Sequence, residues 1–222
     1  MGREYTRNVD VLSLQTRSGN LLLYDDFSNA KKYKEDVRTG SDFADTVCDY
    51  PEINPWQLQI RTRVTSAAAG DTHGVVWATQ PGLSKMVRVG LWFFSPSLVD
   101  FTAIKFLTTF QNGATYQQSK LYYDGVNAKW IYFNSAGAAV DVTNGAQPLL
   151  TNYWHYIEID TDFQSNKYMR LRCNQKVMNL AGINLYSSGA TTAEQFQFNL
   201  GQIQAGANYV SLYATLLSIT TI

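Results

Sequence analysis

The sequence predicts an all-β fold, a two-sheet antiparallel sandwich. Three observations lead there. Short apolar runs with frequent turn signals recur along the chain. No segment combines helical periodicity with capping residues at both ends. Aromatic residues, which favour pleated and half-buried surfaces, make up 14% of the chain, with 14 Tyr and 11 Phe. A chain of 222 residues fits one domain, because sandwiches and barrels of roughly 200–250 residues commonly form a single one. A domain of that size hides roughly 70% of the surface of its unfolded chain, so a core needs no covalent staples.

Residues 1–20 are polar and carry Arg3, Glu4, Tyr5, Arg7, Asp10 and Arg17. They read as an N-terminal arm ahead of a sandwich domain over 21–222, and Arg3, Tyr5, Arg7 and Arg17 are its candidate assembly contacts. A first strand is expected over 21–27, Leu-Leu-Leu-Tyr-Asp-Asp-Phe. The charged stretch 28–55, with Pro51 and Pro55, reads as a long surface excursion. From Gln57 to Val64 the chain alternates: Leu58, Ile60, Thr62 and Val64 share one face, and Gln57, Gln59, Arg61 and Arg63 the other. Further strands are expected over 74–79, 86–94, 101–110, 118–123, 129–134, 153–160, 168–173, 176–180, 196–200 and 209–219. The pairs Asn112-Gly113, Asp124-Gly125 and Asn144-Gly145 predict tight turns, since both residue types tolerate positive φ. Asp124-Gly125 thus predicts a hairpin between 118–123 and 129–134, and Asn174-Gln175 a turn into 176–180.

Charge narrows the function. The 18 basic and 18 acidic residues cancel, whereas nucleic-acid binders carry a basic excess to neutralise phosphates. No nucleic-acid partner is expected. The longest apolar runs fall far short of the roughly 20 residues of a spanning helix, so no membrane partner is expected either. The N-terminus lacks a hydrophobic signal core, which predicts synthesis in a host cytoplasm without a signal peptide. Cys48 and Cys173 are the only cysteines, too few for a disulfide framework. They read as two idle thiols, with a pairing across the sandwich left open. The charge is lopsided: residues 1–130 hold 27 of the 36 charged side chains, and Val177–Ile222 holds only Glu194. Such a segment is buried in inner strands, or it faces another protein, as charge-depleted interface cores do.

Candidate chemistry is sparse. His73 and His155 are the only histidines; they form no two-histidine metal motif, no Gly-x-Ser-x-Gly elbow accompanies them, and His155 reads as an ordinary strand residue. Asp25 and Asp26, with Asp10 or Asp124, supply oxygen ligands for calcium, but no loop has dense ligand spacing, and adjacent strand carboxylates point to opposite faces. No metal and no cofactor are expected. Tyr122, Tyr123, Trp130 and Tyr132, on or near the expected hairpin, are candidates for stacking on a glycan. Alternation puts Glu158, Asp160 and Asp162 on one face of a strand, which reads as a solvated face ending in a turn.

Two segments resemble a known family. Leu22–Phe27, and Tyr153–Asp160 followed by Asn166–Leu171 and the turn Cys173–Lys176, resemble the strands of concanavalin A-like, laminin G-like sandwiches, over roughly residues 21–222. The resemblance implies a jelly-roll sandwich. The hairpin Tyr122-Tyr123-Asp124-Gly125…Lys129-Trp130-Ile131-Tyr132-Phe133-Asn134 is similar to one in phage and viral structural proteins with such domains. Glycoside hydrolases of this fold use Glu-x-Asp-x-x-Glu, whose outer carboxylates stand about 5–5.5 Å apart in retaining enzymes. Here Glu158-Ile159-Asp160 is followed by Thr161, Asp162, Phe163 and Gln164, so the last Glu is missing and no catalytic residue is assigned.

Together these readings lead to a non-enzymatic virion protein, a capsid decoration, minor capsid or tail component. It would be a homo-oligomer or be packed against other virion proteins. The alternatives are a carbohydrate-binding module for attachment to a host glycan and, third, a divergent glycoside hydrolase.

Overall fold

The run Met86–Phe94 sets the pattern of the molecule. Val87, Val89, Leu91 and Phe93 are buried toward one side, while Arg88, Gly90 and Trp92 lie on the other, the period of a strand with a core face and an outer face. The computed structural model describes residues 21–27, 33–35, 43–48, 57–62, 69–70, 72–79, 85–189, 194–206 and 211–222. The arm 1–20, with Arg3, Tyr5, Arg7, Arg17 and Asp10, lies outside the described residues.

Among these the strands are β1 (Leu21–Asp25), β2 (Tyr33–Glu35), β3 (Phe43–Cys48), β4 (Gln57–Thr62), β5 (Thr72–Thr79), β6 (Met86–Phe94), β7 (Phe101–Gln111) and β8 (Thr115–Asp124). They continue with β9 (Lys129–Phe133), β10 (Ala139–Ala146), β11 (Trp154–Asp162), β12 (Lys167–Cys173), β13 (Lys176–Asn179), β14 (Tyr186–Gly189), β15 (Gln195–Gln204) and β16 (Ser211–Thr221). The front sheet runs β13-β12-β11-β6-β16-β4-β3, with β1 also on β16. The back sheet runs β10-β9-β8-β7-β15-β5-β2, with β14 also on β8. The strand pairs are antiparallel. The expected all-β, two-sheet sandwich is therefore what forms. Its core lies between the sheets: Phe93 of the front sheet meets Phe106 of the back sheet with ring centres 5.4 Å apart.

The lopsided charge has its cause here. β15 sits between β7 and β5, and β16 between β6 on one side and β4 and β1 on the other. Both are central strands, and charged side chains are costly there. In β16 the inward residues shift from Leu212 and Ala214 to Leu217 and Ile219. The change of parity falls at Leu216, whose φ is 53°, where the register with β6 slips between Thr215 and Ser218.

Several local expectations are corrected. The stretch 28–55 is not all excursion, since β2 and β3 lie in it as the outermost strands of the two sheets. Charged sequence suits an edge, where it discourages pairing with other chains. Asn144-Gly145 makes no hairpin; it lies inside β10 at an irregularity in the pairing with β9, with Asn144 at φ 58°. The β8–β9 hairpin does form, but the left-handed residue of its turn is Ala128, at φ 53°. Gly125 is required for space instead, since a Cβ there would lie 2.0 Å from the Leu98 carbonyl oxygen. Cys173 is a free, buried thiol, and burial pushes its pKa up to about 12. The side chain of Cys48 lies outside the described residues.

Polar contacts also cross the core, among them one from β12 to β8. β9 pairs with β8 over Leu121–Asp124, and β14 pairs with it over Thr115–Gln118. Between them the backbone of Lys120 needs a partner. The phenol of Tyr168, from β12 of the opposite sheet, accepts the Lys120 N–H at 3.0 Å and donates to the Phe133 carbonyl at 2.7 Å. Burial raises the Tyr168 pKa, so the phenol stays protonated.

At one end of the sandwich His155 ties loops together. Its Nε2 faces the Leu150 carbonyl at 2.8 Å and its Nδ1 the Asn174 amide at 3.0 Å, which assigns a neutral ring with the proton on Nε2. Burial lowers its pKa below 6.5.

Tyr168→Phe is expected to lower unfolding free energy by roughly 1–3 kcal/mol in urea titrations, because two backbone groups lose their partner. The His155 contribution is intact above the ordinary histidine pKa of about 6.5 and is lost as pH falls toward the depressed folded value. Thermal unfolding should therefore show stability falling below about pH 6.5, with a shallower slope in His155→Gln.

Candidate front-face site

The outward face of the front sheet is built in rows by strand register. Thr215, Trp92 and Tyr156 form one row across β16, β6 and β11. Ser218, Gly90, Glu158 and Arg172 form the next, and Thr220, Arg88, Asp160 and Arg170 the one after, extending onto β12. Alternation along each strand carries these side chains to the same side, and the hairpin β11–β12 together with the sequence-distant β6 supplies the charged set.

The charges interlock. Asp160 takes both arms of a fork from Arg88, Nε at 2.7 Å and Nη2 at 2.9 Å. Arg170 Nη2 lies 2.9 Å from Glu158 Oε1 and 2.8 Å from Asp160 Oδ2. Arg88 Nε also lies 3.5 Å from Glu158 Oε1. Exposure separates the partners: 3% for the Glu158 side chain and 8% for Asp160, against 22% for Arg88 and 38% for Arg170. The acids lie beneath and the guanidinium groups reach the surface. The hydrogen bond to Asp160 raises the Arg88 pKa against the opposing effect of burial. Arg172 is half-buried, gives its Nε to the Asn174 carbonyl at 2.9 Å, and pairs with no carboxylate among the described residues.

Aromatic surface adjoins the charges. Trp92 and Tyr156 pack with ring centres 5.3 Å apart, and the Tyr156 phenol donates to Glu158 Oε2 at 3.3 Å. Gly90 makes this possible, because a Cβ there would lie 2.6 Å from the phenol oxygen.

The sequence candidates fare differently. Glu158 and Asp160 share a face as alternation requires, but that face is not solvated at their positions, since the arginines cover them. Asp162 ends the strand, accepting the N–H groups of Gln164 and Ser165. Phe163, in the stretch where a hydrolase would need its third carboxylate, is buried in the core. Trp130 and Tyr123 are 0% and 1% exposed, so neither ring is available to a sugar. Tyr132 also turns inward, packing against Tyr168. Only Tyr122 of those four lies on an outer face, that of the back sheet, beside Phe133. The Asp25 carboxylate accepts the Trp77 indole N–H and the Phe27 N–H, and Asp124 accepts two bonds from Asn127. Among the described residues no three His, Cys, Asp or Glu side chains converge on a metal position. The arginines were not singled out from sequence, although Arg88 and Trp92 share the period of β6, and Arg170 and Arg172 that of β12.

Structural comparison finds similar proteins, three of them at 12% identity each. Cellulose induced protein Cip1 matches with a TM-score of 0.58 over 90% of this chain and 97% of its own. An endo-β-1,4-glucuronan lyase from the fungus Trichoderma reesei matches at 0.53 over 90% and 95%. The alginate lyase vAL-1 from Chlorella virus matches at 0.55 over 86% and 93%. The fold is the concanavalin A-like jelly roll. No protein-family model and no curated protein sequence matches the chain. The expectation of a non-enzymatic protein is corrected by these findings. It rested on the missing third carboxylate, which bears only on a hydrolase, and two of these structures with the fold are polysaccharide lyases.

Glu158→Ala is expected to cost roughly 1–3 kcal/mol of stability, since it leaves Arg170 and the Tyr156 phenol short of an acceptor. Chemical denaturation measures it, and Glu158→Gln should recover part of the loss.

Proposed function

We propose that this protein acts on an acidic polysaccharide bound along the outward face of the front sheet. The observation that carries this reading is the pairing of buried Glu158 and Asp160 with Arg88 and Arg170. Carboxylates so enclosed are poorly exposed for contact with a substrate. Their effect is to hold guanidinium groups charged and oriented at the surface. A planar guanidinium matches a carboxylate in two parallel bonds, and Arg172 adds a cation with no carboxylate of its own. Trp92 and Tyr156 add apolar surface for a sugar ring. A uronic acid unit combines the two features this face offers to bind. The fold likeness to lyases of glucuronan and alginate, both uronic acid polymers, supports the same reading.

The chemistry we propose is elimination. Pairing a uronate carboxylate with arginine makes the proton on the neighbouring carbon more acidic. A base removes that proton, a carbon–carbon double bond forms, and the glycosidic oxygen leaves with the electron pair of its bond and takes up a proton. Tyr156 is our candidate for the acid that gives the leaving oxygen its proton, and Gly90 is the positioning residue that gives its phenol room.

The virus-particle setting expected from the sequence is kept as part of this proposal. Its support is the β8–β9 hairpin, which forms from the segments that carry the resemblance. Burial of β15 and β16 accounts for the charge-poor segment, so that segment no longer argues for protein packing. Mass spectrometry of purified particles checks the setting.

With polyuronates as substrate, the ultraviolet absorbance of the unsaturated sugar ends should rise with the wild-type protein. Tyr156→Phe should abolish the rise while leaving the circular dichroism spectrum unchanged, and Arg170→Ala should weaken substrate binding roughly tenfold or more. A wild-type protein that neither binds nor cleaves any polyuronate ends the proposal.

A further inference from the structure

We infer that the outward face of the back sheet is a second binding surface, for an acidic glycan held by Lys120 among the rings of Tyr186, Phe133 and Tyr122. Register assembles this face as it assembles the front one. Lys120 and Tyr122 lie on the outer side of β8, with Tyr122 opposite Ile131 and the Lys120 Nζ reaching over the Phe133 ring. Gln118 and Tyr116 continue that side, opposite Tyr186 and Ser188 of β14. The rings form a half-buried run along this edge. Tyr116 meets Tyr186 at 6.3 Å and Tyr122 meets Phe133 at 4.6 Å between centres.

Lys120 is the unusual member. Its Nζ stands 4.0 Å from the Tyr186 ring centre and 5.9 Å from that of Phe133. Among the described residues no carboxylate pairs with it. Burial disfavours its charge, and the ring faces offset only part of that cost. A cation held this way gains from any anion that reaches it. The carboxylates on this face, Asp124 and Asp141, lie by the β8–β9 turn and are engaged by Asn127 and Lys129. Across β7 and β15, Lys105 lies opposite Tyr122, and the rows of Lys120 and Tyr116 carry Asn199, Gln111 and Gln195, with Gln197 between them, amide side chains that bond hydroxyl groups in either direction. A cation seated among ring faces, with Lys105 nearby and uncharged hydrogen-bonding groups around them, describes a surface for a sugar chain bearing an anionic group. The apolar face of a sugar ring stacks on these aromatic rings while its hydroxyls meet the amides, which favours a glycan over an acidic peptide.

The surface is separate from the front-face arginines, so the two readings fail separately. Calorimetry on the full chain, with an alginate oligosaccharide and its carboxyl-reduced counterpart as probes, tests it. Starting from the Arg170→Ala and Arg172→Ala double variant, adding Lys120→Met should weaken binding of the acidic probe roughly tenfold and leave the reduced one unchanged. Tyr186→Ser, which removes a ring but no backbone contact of β8, should weaken both probes. Binding of the acidic probe that is unaltered by Lys120→Met overturns the inference. So does a polyglutamate peptide that binds as tightly as the oligosaccharide and is lost in the same variant, which would make the partner a protein. If the arginine changes alone leave binding untouched while Lys120→Met reduces it, the front-face reading falls and this one stands.

Discussion

The phenol of Tyr168 ties the two sheets together through the core. Tyr168 stands where β8 has no strand at its edge, in the gap between β9 and β14, and it supplies the two bonds that a neighbouring backbone would have made. Buried amide and carbonyl groups are nearly always satisfied, so this gap exists only because β12 sends a side chain across to fill it. Two residues further along β12 is Arg170, a member of the front-face cluster, and the backbone that Tyr168 holds is that of Lys120. The two outward faces are thus braced against each other through one residue.

The front-face cluster follows from a balance of costs. A carboxylate removed from water is expensive unless it is paired and hydrogen-bonded. Glu158 and Asp160 meet that condition with two arginines and a phenol. The result is a layered arrangement, acids below and cations above, with cations that do not have to reorganise when an anion arrives. The glycine opposite Glu158 belongs to this arrangement as fully as the charged residues do, because only the absence of its side chain lets Tyr156 lie across β6.

Much of this was legible in the sequence, and the failures have physical causes. Strands β6, β11 and β12 announce themselves by alternation, and the shared face of Glu158 and Asp160 follows from it. Their partner Arg88 does not, because it lies 70 or more residues away in the chain and only sheet register brings it alongside. The β8–β9 hairpin was legible as a hairpin but not by side. Tyr122, Tyr123, Trp130, Ile131, Tyr132 and Phe133 are large and apolar on both faces, so the pattern carries no parity, and Trp130 turned inward. β2 and β3 were hidden because edge strands tolerate the charges that elsewhere mark loops.

The central place of β15 and β16 bears on how the molecule is made. Without β15, the β7–β10 half of the back sheet has no link to β5 and β2. Without β16, the β6–β13 half of the front sheet has none to β4 and β3. Among the described strands these two come after the others, so during synthesis both sheets remain divided until residues 195–221 have emerged. Assembly from such distant pairings is slow, and the unfinished halves present open strand edges and apolar faces meanwhile. Completion of the fold is therefore a late closing step that inserts one strand into each sheet.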